Sequence, residues 1–199
     1  MMRLVSWLVW VAGAVGPVTA QAPASPLTEF PSMHVEYLGQ TQLLKSEKDA
    51  IAAFVFGDIN LADCVDPGRL PQQEWTYIRI AHAKLTTTPE RYLLVQASDG
   101  CQCSPTGNCA FWVLRKRAKG FDALLATDMV QTFSLTSHRT HGLLDLKTSS
   151  HGSATQHGLV LYQFDGEQYR SAECAVSEHE LDEHGNPAKK QTITKVDCT

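Results

Sequence analysis

The chain has 199 residues, with 17 lysines and arginines against 21 aspartates and glutamates and a net charge of −4 at pH 7. That balance argues against a nucleic-acid partner, whose surface normally needs a basic stripe. The length suits one domain with a sizeable core and is small for two.

An apolar run from Leu4 to Val15 follows Arg3. At about 12 residues it is shorter than the roughly 20 that a membrane-crossing helix requires. Gly16 and Pro17 break it, and Val18-Thr19-Ala20 offers the small residues that signal peptidase needs. This pattern predicts a signal peptide over residues 1–20, cleaved after Ala20. No later segment is long and apolar enough to span a membrane, so the mature protein is expected in the periplasm or outside the cell and not integral to the membrane. Residues 21–33 are rich in proline and are expected to form a flexible lead-in. Residues 34–199 are expected to form a single mainly-β domain.

Six cysteines follow the predicted cleavage point: Cys64, Cys101, Cys103, Cys109, Cys174 and Cys198. An even number in an exported chain predicts disulfides. The alternative, thiolates on zinc, normally shows a two-residue gap and a second cysteine pair. Here the gap between Cys101 and Cys103 is one residue. One of those two is expected to close the short loop to Cys109, leaving the other to reach Cys64. Cys174 and Cys198 then tie down the C-terminal segment.

Ser46–Phe56 predicts a helix, with Ser46 and Asp49 resembling a capping box and Gly57 ending it. From Trp75 onward the signals are β: Trp75–Ile80, Arg91–Ala97, Ala110–Arg115, Phe121–Ala126 and Met129–Leu135 as one strand or two, Leu143–Leu146, Gly158–Phe164 running into Glu167–Arg170, and a last short strand at Gln191–Val196. Asp165-Gly166 between two such runs predicts a hairpin. The basic cluster Arg115–Lys119 reads as a solvated turn. The stretch from Ser177 to Lys190 is polar, with a turn at Gly185-Asn186-Pro187. Residues 92–121 and 143–169 share an order of strand, loop, strand, tight turn and strand. The expected fold is therefore an antiparallel meander sheet or sandwich of about six to eight strands with one N-terminal helix. Phe54, Val55, Tyr92, Leu94, Trp112, Leu114, Leu159, Leu161 and Phe164 are the expected core.

The stretch Cys103-Ser-Pro-Thr-Gly-Asn-Cys109-Ala-Phe-Trp-Val-Leu, then His151-Gly-Ser-Ala-Thr, then Leu161-Tyr-Gln-Phe-Asp-Gly, resembles a set of uncharacterised exported bacterial proteins over residues 60–175. That resemblance implies export and the cysteine loop, and brings no activity with it. Phe164-Asp165-Gly166 with a following aromatic is also similar to integrin-type (FG-GAP) repeats. The alternate aspartates and asparagines of their calcium loops are absent here.

Two features could carry function. The loop Ser104, Pro105, Thr106, Gly107 and Asn108, clamped by cysteine, is a pre-organised binding tip. Four histidines, His138, His141, His151 and His157, fall within 20 residues, and imidazole is a common transition-metal ligand. Their spacing matches no helix-face motif. Ser149, Ser150 and Ser153 lie near them, but no Gly-x-Ser-x-Gly elbow is present. The favoured expectation is an exported, non-catalytic binding or inhibitory module, with no cofactor. Its partner is unspecified: another exported protein or an envelope polymer. The alternative is a metal-binding or hydrolytic protein using the four histidines.

Overall fold

The computed structural model describes residues 27–28, 30, 32–57, 59, 74–98, 102–184 and 187–198. The predicted cleavage site, Cys64 and Cys101 lie outside them. Among the described residues, ten strands form two antiparallel meanders of five strands each. The first runs in the order β1 (Glu36–Tyr37), β2 (Ile78–Ala83), β3 (Tyr92–Ala97), β4 (Cys109–Lys116) and β5 (Phe121–Val130). The second contains β6 (Thr132–Thr140), β7 (Leu143–His151), β8 (Gln156–Phe164), β9 (Tyr169–Leu181) and β10 (Pro187–Val196), again paired in sequence order. One helix, α1 (Lys45–Phe56), precedes β2. Among the described residues no helix is long and apolar enough to cross a membrane.

The first sheet is apolar on both faces, which is why β3 and most of β4 read as continuous hydrophobic runs. On one face Ile78, Ile80, Leu93, Val95, Trp112 and Leu114 meet Ile51, Ala52, Val55 and Phe56 of α1. On the other, Ala81, Leu94, Phe111 and Val113 pack with Leu146, Tyr162, Phe164 and Tyr169 of the second sheet. The order is helix, sheet, sheet. Phe111 and Phe133 stack across the two sheets with ring centres 4.6 Å apart.

The chain passes from one sheet to the other at Gln131 alone. The corner is built from two devices. A bulge sets Asp128 and Met129 opposite Ala110, with Met129 in the left-handed region at φ 62°. The buried Gln96 amide donates to the Val130 carbonyl at 2.8 Å, satisfying an acceptor the ladder leaves behind.

The internal repeat corresponds to β3–β4–β5 in one sheet and β7–β8–β9 in the other. Several expectations need correcting. Trp75–Tyr77 is part of a 3₁₀ turn, and the strand begins at Ile78. The helix is capped by Glu47 and not by Ser46: the Leu44 N–H donates to the Glu47 carboxylate at 3.2 Å. Burial pushes the Glu47 carboxyl up, but that N–H, Lys116 and Arg91 together hold it below its ordinary range. Phe54 is exposed; the other eight expected core residues are buried. The polar stretch from Ser177 continues β9 to Leu181 and supplies the start of β10. The described residues of the lead-in include some that are packed against the domain. Leu27 is 1% exposed and packs with Phe30 on Leu159 and Leu161 of the second sheet, and the Met33 N–H donates to the Phe133 carbonyl at 2.9 Å.

The basic cluster is the β4–β5 turn, where Gly120 has φ 76° and Arg117 pairs with Asp122. Asp165–Gln168 forms the β8–β9 turn. Asp165 Oδ1 accepts the N–H groups of Glu167 and Gln168, both at 2.8 Å, and Arg170 lies against Oδ2 at 3.1 Å. The Gln168 and Glu167 N–H groups, with Arg170, hold the Asp165 carboxyl at about 2. A carboxyl lowered on folding stabilises the fold above its unfolded value and loses that contribution as pH falls through the folded one. Urea unfolding of Asp165→Asn and the parent chain between about pH 4 and pH 2 should show the steeper loss of stability in the parent. Parallel pH profiles would refute this role for the turn.

Candidate functional site

The loop between β3 and β4 is closed by the Cys103–Cys109 disulfide. Within it the Ser104 N–H donates to the Asn108 carbonyl at 2.7 Å and the Gly107 N–H to the Ser104 carbonyl at 3.0 Å. Gly107 takes φ 82°, which favours glycine there. Ser104 and Thr106 hydroxyls meet at 2.8 Å, and the Asn108 amide donates to Thr106 Oγ1 at 3.1 Å. Pro105, Thr106 and Gly107 form the exposed tip, Ser104 is half-buried and Asn108 is 1% exposed.

Asn108 fastens this loop of the first sheet to the second. Its side-chain Nδ2 donates to the His151 carbonyl at 2.8 Å, and its Oδ1 accepts the His151 N–H at 2.6 Å. The reason lies in strand lengths. β6 begins at Thr132 opposite Ser149, so β7 outruns its neighbour by two residues. His151 turns its N–H and C=O to that side, where no backbone partner follows, and the asparagine amide supplies both complements.

The same bonding sets the imidazoles. His151 stands directly opposite His157 on β8. Because its backbone groups face Asn108, the pair belongs to the narrow, non-hydrogen-bonded class, in which side chains lie closest. Their ring centres are 5.3 Å apart and nearly perpendicular. Ser177 of β9 stands opposite His157, and His179, two residues on, shares that face of the sheet. Its ring centre is 6.2 Å from that of His157. All three histidines are half-buried. Ser177 is fully buried and accepts the Gln191 amide at 2.7 Å.

Of the four histidines grouped by sequence, the structure joins only His151 and His157. His138 sits in a bulge of β6 at the far end of β7, with Nδ1 2.7 Å from Asp145 Oδ2. Asp145 is 1% exposed and also accepts the Gln163 amide at 3.1 Å. Six residues of strand separate Asp145 from His151, about 20 Å at 3.3 Å per residue. His141 occupies the β6–β7 turn with φ 48°, followed by Gly142 at 88°, the positive pair that a two-residue hairpin turn requires. The nearby serines are engaged elsewhere: Ser149 with the Thr132 hydroxyl at 2.6 Å and Ser153 with that of Thr155 at 3.4 Å. Asp145 thus holds His138 and Gln163. Among the described residues, no three His, Cys, Asp or Glu side chains are arranged around one metal position.

Cys174 is bonded to Cys198, closing β10 onto β9, and no described cysteine is free. Sequence reading missed His179 because it ranked histidines by nearness in the chain. Pairing Gly158–Phe164 with Glu167–Arg170 through the Asp165-Gly166 turn, and running both strands on, was the available signal.

Removing the Asn108 amide leaves a backbone donor and acceptor of His151 without protein partners. Asn108→Ala is expected to lower unfolding free energy by about 1–3 kcal/mol in urea denaturation. Asn108→Asp, which sets a carboxylate against the His151 carbonyl, should not restore it. A loss below about 0.5 kcal/mol, the range of an ordinary surface change, would contradict the clamp.

No protein-family model, no curated protein and no solved structure matches this chain.

Proposed function

We propose that the protein is an exported, non-catalytic binding module whose recognition element is the Cys103–Cys109 loop. The observation that carries this reading is the contrast within five residues. Pro105, Thr106 and Gly107 are exposed, while Asn108 beside them is buried and bonded to a strand of the other sheet. A tip held at its base by a disulfide, a glycine turn and an inter-sheet clamp loses little freedom when it binds, which lowers the ordering cost of association. The partner is another exported protein or an envelope polymer. Export is supported by the Arg3–Ala20 signal-peptide pattern and the disulfides.

The test exchanges only the tip. Pro105 is replaced and Thr106 is changed to Ser, which keeps the hydroxyl that Ser104 and Asn108 meet, while Ser104, Gly107, Asn108 and both cysteines are kept so that the frame survives. Envelope extracts are then passed over the immobilised parent and the exchanged protein. Capture of a partner should weaken at least about tenfold, the effect of losing roughly 1.4 kcal/mol of contact, with the thermal unfolding midpoint nearly unchanged. A partner held equally by both proteins, or no partner held by either, would remove the loop from the account.

A further inference from the structure

We propose that His151, His157 and His179 bind one first-row transition-metal ion of the Zn²⁺/Cu²⁺ class. This set goes beyond the loop reading and does not rest on it. The register puts one imidazole on each of three adjacent strands, β7, β8 and β9, on one face of the second sheet. Imidazole nitrogen suits zinc, copper and nickel, whereas calcium and magnesium take oxygen ligands. Three protein ligands with a fourth position left to water is an established zinc arrangement.

The spacing decides how much must move. With metal–nitrogen bonds of about 2.0–2.1 Å, two imidazoles on one tetrahedral ion have ring centres roughly 5–5.5 Å apart. His151 and His157 already stand at 5.3 Å and 89°. His157 and His179 stand at 6.2 Å, wider by about 1 Å than that tetrahedral spacing. The three rings therefore do not yet surround one point, and His179 has to swing inward. Turning the ring about its outer torsion re-aims the nitrogens but leaves the ring centre in place, so the inward move of His179 is a change at its inner side-chain torsion. His151 is the fixed member: Asn108 grips its backbone at both the N–H and the C=O. The described neighbours on this face, Ser149, Leu159, Ser177 and Gln191, carry no charge.

The purified protein, without a polyhistidine tag, is titrated calorimetrically with Zn²⁺ and, separately, Cu²⁺. One ion per chain is expected. Loss of an outer partner of a metal site costs about 10–100-fold in affinity, and His157→Ala, which removes a ligand, should cost at least as much. His138→Ala should bind like the parent. Electron paramagnetic resonance of the Cu²⁺-loaded parent should show coupling to more than one imidazole nitrogen, a readout that needs no variant to fold. Absence of binding, equal affinity in His157→Ala, loss of binding in His138→Ala, or coupling to a single nitrogen would each overturn the proposal.

Discussion

The arrangement around the loop depends on one side chain standing in for a strand. β7 extends past the start of β6, and Asn108 completes its open edge through a donor at 2.8 Å and an acceptor at 2.6 Å. An amide is the side chain suited to this, because it carries donor and acceptor side by side like a peptide group. The loop bearing Asn108 is fixed in turn by the Cys103–Cys109 bridge. The covalent staple of the first sheet thus becomes a non-covalent staple between the sheets. It also fixes the backbone of the histidine that faces His157.

The larger frame explains why such a clamp is useful. Two meanders joined at a single residue need that corner held, and the clamp sits beside it: Cys109 pairs with Val130 and Ser149 with Thr132, on either side of Gln131. Phe111, Phe133, Leu146 and Tyr162 hold the interior, and Gln96 and the Met129 bulge shape the corner. Leu27 and Phe30 cover apolar side chains on the far face of the second sheet, and the Cys174–Cys198 bridge secures its outermost strand. Of the two described bridges, Cys103–Cys109 closes the entry to β4 and Cys174–Cys198 fastens the chain just beyond β10 to the middle of β9.

Much of this was legible from the sequence, for physical reasons that differ by element. Asp165-Gly166 announced its hairpin because an aspartate that caps its own turn and a glycine at positive φ form a local code. The paired meanders showed as an echo between 92–121 and 143–169 because a buried strand, a loop and a tight turn leave the same apolar spacing twice. β9 and β10 were underread beyond Ser177 because their faces are largely solvated, so pairing and not hydrophobicity holds them. The proline content around Leu27 hides two apolar residues, Leu27 and Phe30, whose packing depends on the distant Leu159 and Leu161. The site was half visible. The cysteine frame marked the loop, but the role of Asn108 rests on strand lengths, and the company of His157 rests on register across β8 and β9. Neither is a property of neighbours in the chain.

The central claim is that Asn108 completes the edge of β7. Amide hydrogen exchange at His151 in the unmodified protein measures this directly. The His151 amide should be protected to a degree comparable with the ladder amides of β7, since its N–H is bonded to Asn108 Oδ1. Exchange of the His151 amide at the rate of an unstructured chain, with the β7 ladder still protected, would contradict the account.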